Sequence, residues 1–434
     1  MNAELCAAVW NALGAFDYAA ANRLVARLSR IHPAFSNILS KLVNCENSYV
    51  QLSFMKPKWY QLRKDPLGTL YTYLVEDITK ELATTAEEES LNEALNGLID
   101  LCRARQTLIA IYQSIAAQAP PSSIYQELVE LGDTCEQSIQ RYNELGLLGQ
   151  GIVREIRILQ QLFRAAQAIV DYAFQDSCIA LFTCKQDLTD WKKACQQQNF
   201  AEKTVASSAQ NPREASSWRS LLFGSGSSNA QHRNDAMPHN VRWLNKCLEN
   251  LTAKMTLYFS NILLAKERLL SDDDSEKNLW KNIKVDHYEK ISSFRRRFGA
   301  HSIGLVYQVR PDVPFHPSGY VCSDTPYEPP QGIHSFPFIY CQPKQPPKEH
   351  LPNIISIIQA RSSKLSDPKT RPFHFYDNKI SSTYYLSRVD DHVVLVVIYL
   401  DKHSHSEPAT REFMNDLVAL LQGSHLVADL SRPE

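Results

Sequence analysis

A chain of 434 residues with 44% hydrophobic content carries enough apolar material for roughly two to four packed domains, which excludes a disordered polymer. Lysine and arginine total 46 against 47 aspartates and glutamates, so the net charge of -1 removes the global positive field expected of a nucleic-acid binder. The 14 glycines are less than half of the usual ~7%, and phosphate-cradling loops consume glycine, so the composition leans helical and away from nucleotide enzymes.

The first residues, MNAELCAAVWNALGAF, lack a basic leader and include Glu4, which fits an amphipathic helix better than a secretory signal. Apolar residues then recur at helical spacing to about residue 200, with breaks at His32-Pro33, Lys56-Pro57, Asp65-Pro66, Ala119-Pro120-Pro121 and Gly146 to Gly151. Six or seven helices are expected. The clearest stripe runs Ile152, Ile156, Leu159, Phe163, Ala166, Val170, all on one face. The Gly146 to Gly151 stretch lacks the lysine and hydroxyl residue of a P-loop, so it reads as a turn between helices. Residues 201–238 are rich in serine, asparagine, glutamine and glycine and read as a disordered insertion. Helical order resumes with Leu244, Leu248, Leu251, Met255, Tyr258 and Ile262, so an all-α bundle is expected over residues 1–270. Asp272-Asp273-Asp274 marks the boundary.

Residues 285–434 read as a second, α+β domain. A helix from Asp286 to Phe298 stops at Gly299, as a left-handed cap would. Strands are expected at Ile303 to Val309, Ile354 to Ile358, Thr383 to Val389 and Val393 to Leu400. The last is apolar throughout and so suits a central position, entered by a hairpin through Asp390-Asp391-His392. Prolines crowd residues 311–351, which reads as an irregular excursion. Ser406 is placed to cap a final helix that buries Phe413, Leu417, Leu420 and Leu421 and ends at Gly423. The sum is a small antiparallel sheet flanked by terminal helices.

Little in the chain suggests bond chemistry. The ten cysteines are scattered singly with no C-x-x-C pair, as expected of reduced core thiols in the cytosol. The longest apolar run is eight residues, too short to span a bilayer, and neither terminus signals lipidation, so any membrane attachment is borrowed from a partner. His403 and His405 lie near Glu407, a ligand-like set, but the preferred reading is a solvated loop. Gly224-Ser225-Gly226-Ser227 sits in the floppy insertion, where no strand preorganises an oxyanion hole. No catalytic, cofactor-binding or metal-ligating residue is assigned. Charge is segregated: residues 76–133 hold eleven acidic against three basic residues, and residues 281–371 hold thirteen basic against seven acidic. Opposite patches of this kind can steer association, although solvated faces are the commoner explanation.

The segment PFHFYDNKISSTYYLSR (Pro372 to Arg388), with KISSFRRRFG (Lys290 to Gly299), LPNIISIIQARSSKL (Leu351 to Leu365), HVVLVVIYLDK (His392 to Lys402) and WLNKCLENLTAKMTLYFSNIL (Trp243 to Leu263), resembles the helical subunit family of the KICSTOR complex. The resemblance is carried by residues 240–425. Over residues 1–200 it lies in pattern only, with Asp190-Trp191 its clearest point. It implies a non-enzymatic scaffold with an N-terminal helical domain and a C-terminal roadblock/longin-like α+β module. It further implies partners: other KICSTOR subunits and the GATOR GTPase-activating complex, brought to the lysosomal surface so that TOR complex 1 is restrained when amino acids or glucose are scarce. The chain itself would be cytoplasmic and peripheral at that membrane, without nucleic acid or cofactor, and capable of self-association. Expected contact residues are Arg295, Arg296 and Arg297, with exposed members of Phe375, Tyr384 and Tyr385. Two rivals remain: a longin/roadblock-type adaptor that binds small GTPases directly, and a metal-dependent hydrolase that uses the late histidines.

Overall fold

The computed structural model describes residues 3–55, 66–84, 89–208, 237–267, 276–320, 327–365 and 372–430. The chain divides into two compact units, one of Met1–Phe163, Thr183–Lys246 and Val427–Glu434, the other of Arg164–Phe182 and Cys247–Leu426.

Nine helices are described up to residue 208: α1 (Ala3–Gly14), α2 (Tyr18–Leu28), α3 (Pro33–Val50), α4 (Pro66–Thr84), α5 (Glu89–Ala116), α6 (Pro121–Gln137), α7 (Ile139–Glu144), α8 (Gly146–Val170) and α9 (Phe174–Ser208). The prolines at the expected breaks begin the helices that follow: Pro33, Pro66 and Pro121 each occupy a first helical position, where the missing N–H costs nothing. Asp17 caps α2 by accepting from Ala20 N at 2.9 Å. On α8, Ile152, Ile156 and Leu159 are buried as the stripe predicts. Helix α9 continues to Ser208, past the expected onset of the insertion, while residues 209–236, with Gly224 to Ser227, lie outside the described residues. Lys56-Pro57 and Asp272 to Asp274 lie outside them too.

The turn expected at Gly146 to Gly151 is shorter than its glycines suggest. Only Gly146 takes a positive φ, at 54°, and α8 has begun by then. Gly149 serves close packing: an added Cβ would lie 1.9 Å from the carbonyl oxygen of Tyr142. Gly149→Ala is therefore expected to cost about 1–3 kcal/mol through a forced shift of α7 against α8, seen as a lowered thermal midpoint. An unchanged midpoint would remove this account of the glycine.

The core of the helical unit encloses a charged cluster. Arg105 on α5 meets Glu46 on α3 through Nε and Nη2, at 3.1 and 2.8 Å, and Glu155 on α8 through Nη1 at 2.6 Å. All three are nearly inaccessible. Hydroxyls complete the shell: Tyr71 donates to Glu46 at 2.8 Å, and Tyr49 and Tyr112 donate to Glu155 at 3.1 and 2.8 Å. Burial, reinforced by the adjoining carboxylates, pushes these phenols well above their ordinary pKa, so they stay protonated donors. One guanidinium thus serves two carboxylates, and O–H donors meet the surplus acceptor capacity.

Helix α10 (His239–Tyr258) starts in the helical unit and enters the other unit at Cys247, where α11 (Ser260–Glu267), α12 (Glu276–Trp280) and α13 (His287–Phe298) follow. Five strands follow with intervening helices: β1 (Ser302–Tyr307), β2 (Phe338–Gln342), α14 (Leu351–Ala360), α15 (Ser362–Leu365), β3 (Phe373–Asp377), β4 (Ser382–Asp390) and β5 (Val393–Tyr399). The chain then forms α16 (Pro408–Gln422) and α17 (Ser424–Leu430). The strands make one antiparallel sheet in the order β2-β1-β5-β4-β3. β5 is its middle strand and all seven of its residues are buried, as its unbroken apolar run predicts. On one face Ile354, Ile357 and Ile358 of α14 pack against Leu386, Val396 and Ile398. On the other, Tyr399 meets Thr410 of α16 at 2.9 Å, and Phe413 of α16 stacks on Phe294 of α13 with centroids 3.9 Å apart. The sheet is covered by helices on both sides. At the end of β4, Asp390 pairs with Lys254 at 2.8 Å and accepts from Tyr258, both on α10.

Three expectations need correction. Ile354 to Ile358 is helix, not strand: Pro352 starts α14 and the apolar residues meet the sheet at helical spacing. The proline-dense excursion contains β2, which tolerates flanking prolines because it is an edge strand. Ser406 does not cap the last helix. Its N–H donates to Ser404 Oγ at 3.2 Å, Glu407 takes the cap position without a side-chain bond, and Pro408 opens the helix. Gly299 and Gly423 do end their helices in the left-handed conformation, at φ 68° and 70°. Leu420 is only partly buried, and α17, β2 and β3 are additions to the expected elements.

Candidate interaction surfaces

The arginine run sits on the last turn of α13. Asp286 caps that helix by accepting from Glu289 N at 2.8 Å, and Ile291 and Phe294 bury its inner face. Positive charge at the C-terminal end complements the helix dipole. The three arginines then diverge. Arg295 is half-buried and donates Nε to the His301 carbonyl at 3.2 Å, so it fixes the turn into β1. Arg296 is exposed and pairs with Glu289 at 3.2 Å, and Arg297 is exposed with its guanidinium 5.3 Å from the Phe298 ring centre. Only Arg296 and Arg297 offer charge to a partner.

The aromatic candidates divide in the same way. Tyr384 and Tyr385 are fully buried, which removes them as surface contacts. Tyr384 faces α14, and Tyr385 donates to the Ser404 carbonyl at 2.5 Å. Phe375 on β3 is 39% exposed and remains a surface residue. β3 is an edge strand, separated from β1 by β4 and β5, so Phe375 and the arginine-bearing α13 that adjoins β1 do not form one patch.

In the helical unit, the acidic segment contributes to a groove of about 320 Å³ between α5, α6 and α7. Asp100, Glu127 and Glu130 line it together with Arg103. Asp100 is partly neutralised by Arg141 at 2.8 Å.

His403, His405 and Glu407 do not converge on a point. His403 stacks on Tyr399 with centroids 3.8 Å apart and pairs with Asp401 at 2.9 Å, while His405 lies against His374. The nine described cysteines form no disulfide, and burial pushes the thiols of eight of them up, Cys184 and Cys195 to about 12, far from the thiolate that a nucleophile requires. No described helix is long and apolar enough to cross a membrane. The buried charge cluster and the edge aromatic were open to detection only in part. Arg105 is 59 residues from Glu46 and 50 from Glu155, separations that no local pattern connects.

The fold thus defines a chain of two units, one all-helical and one α+β with helices on both faces of an antiparallel sheet. A family model described as "KICSTOR complex C12orf66 like" matches residues 26–433, and the chain belongs to that family. It is similar to KICSTOR subunit 2 of Xenopus laevis, at 27% identity over 411 residues covering 90% of this chain and 86% of the relative. KICSTOR subunit 2 of Danio rerio is 27% identical over 406 residues, covering 89% and 84%.

Proposed function

We propose that this chain is a non-enzymatic scaffold subunit of a KICSTOR-like complex that holds the GATOR GTPase-activating complex at the lysosomal surface and restrains TOR complex 1 during amino-acid or glucose starvation. The observation that carries the reading is the family match over residues 26–433, which takes in residues of both units. In this role the chain is cytoplasmic and reaches the membrane through its partners. The sheet unit serves as a roadblock/longin-like module. The order helix, two strands, helix, three strands, helix and the strand order β2-β1-β5-β4-β3 support that reading. The helical unit and the sheet unit are its two working parts. Arg296, Arg297 and Phe375 are the proposed contacts, with Arg295 holding the helix end in place.

Affinity capture of the full chain from starved cells is expected to recover other KICSTOR subunits and GATOR. Arg296→Glu with Arg297→Glu should weaken that recovery without altering the circular dichroism spectrum. Recovery of neither complex from starved cells would sink the reading. The rival, an adaptor that binds small GTPases directly, draws on the same strand order. It gains if Rag GTPase association persists after the other KICSTOR subunits are removed.

A further inference from the structure

One cluster in the sheet unit is not used by the scaffold reading. His301, Glu349 and His350 each offer one ligand atom, and these atoms all lie within 4.8 Å of one another. They arrive from two places in the chain. His301 immediately precedes β1, its N–H held by the Ile398 carbonyl at 2.8 Å. Glu349 and His350 belong to a single 3-10 turn, Lys348–His350, that leads into α14.

The orientation of His350 is set before any ligand binds. The residue is 3% exposed, and its Nδ1 lies 2.7 Å from the hydroxyl of fully buried Tyr384. That hydroxyl also accepts from Asn353 Nδ2 at 3.3 Å, and the same Asn353 amide donates to Asp377 at 2.8 Å. With Nδ1 engaged in this chain, Nε2 is the nitrogen turned toward Glu349, 3.8 Å from its carboxylate. A ring held by one nitrogen and presented by the other is the arrangement that orients metal-ligating histidines.

We propose that His301, Glu349 and His350 bind a divalent transition metal, zinc by the character of the ligand set, with a fourth position open. Two neutral imidazoles and a carboxylate are a usual zinc set. Ligands of a tetrahedral zinc ion at about 2.0–2.1 Å lie roughly 3.3 Å from one another, so the trio needs only a small contraction. Glu349, with its side chain 79% exposed, is free to make it. Arg295, bonded to the His301 carbonyl, places one positive charge beside the trio, and the carboxylate of Glu349 offsets it. The bound ion ties the start of β1 to the turn before α14.

The test uses the metal-stripped full chain titrated with cobalt(II), followed by zinc. The expected result is one equivalent of tetrahedral cobalt bands, lacking the thiolate charge-transfer absorption that any of the ten cysteines would add, and displaced by zinc. The double variant His301→Asn with Glu349→Gln changes residues outside the packed core, and it should bind roughly tenfold or more weakly at an unchanged circular dichroism spectrum. Absence of tetrahedral bands, thiolate absorption, or equal affinity in the variant would each overturn the proposal.

Discussion

Arg105→Met is expected to destabilise the helical unit by about 3–5 kcal/mol, because it leaves Glu46 and Glu155 buried without their shared cation. Methionine keeps the apolar stem but not the guanidinium, so the loss reports mainly the missing charge and its hydrogen bonds. The tyrosine hydroxyls that remain can donate single hydrogen bonds but cannot neutralise two carboxylates inside one core. Arg105→Lys should recover only part of the loss, since an ammonium cannot reproduce the two-point contact of Nε and Nη2 with Glu46. Hydrogen exchange on α3, α5 and α8 reads the effect locally, which matters in a chain of two units where one global midpoint mixes them. Protection factors equal to the parent's in those helices would show that the cluster carries no net stabilisation.

The second large effect is an acid sensitivity that traces to His287. This first residue of α13 is 1% exposed and packs edge-on against Trp280, with centroids 6.0 Å apart. Burial, with smaller contributions from Lys290 and His425, pushes its imidazole down to about 4 from an ordinary 6.5. Between those values the unfolded chain holds a proton that the folded chain refuses, so stability falls as pH drops from about 6.5 toward 4 and levels off below. From pH 7 to pH 4.5 the contribution is roughly 2 kcal/mol. His239, His350, His374 and His392 shift in the same direction through burial and add to the trend, whereas Glu276, whose carboxyl is pushed up by burial, opposes it. His287→Phe isolates one residue: denaturant unfolding at the two pH values should show a loss smaller by roughly 2 kcal/mol than in the parent. Identical losses would mean that His287 takes up no differential proton.

What could be read from the residues was whatever one stretch of chain decides alone. Val393 to Leu400 is apolar at every position and became the middle strand; Gly299 and Gly423 follow amphipathic runs and became left-handed caps. Ile354 to Ile358 misled because a five-residue apolar run fits a buried strand and a buried helix equally, and the deciding cue was Pro352 at a first helical position. β2 was hidden by the prolines around it, and β3 is a second strand within an aromatic segment from which only Thr383 to Val389 was expected to be strand. The candidate site was legible by halves. The arginines were found as a run, yet helical geometry separates them, tying Arg295 to a carbonyl and leaving Arg296 and Arg297 outside. Tyr384 and Tyr385 are neighbours in sequence and point to opposite faces of β4, and both faces are covered by helices, a tertiary fact that no local pattern records.

The division of the chain into interleaved segments bears on where it can be cut. Val427–Glu434 belongs with the helical unit, where Asp429 accepts from His239 through its carbonyl at 3.1 Å and pairs with Lys246 at 3.2 Å. The unit that begins first in the sequence is thus completed by a segment that follows the sheet unit. The sheet unit, by contrast, has all its residues by Leu426. A cut near residue 270 would therefore yield two fragments, each missing part of a core, and neither suited to stand for a domain. The two units are interleaved in sequence, so no single cut leaves both intact.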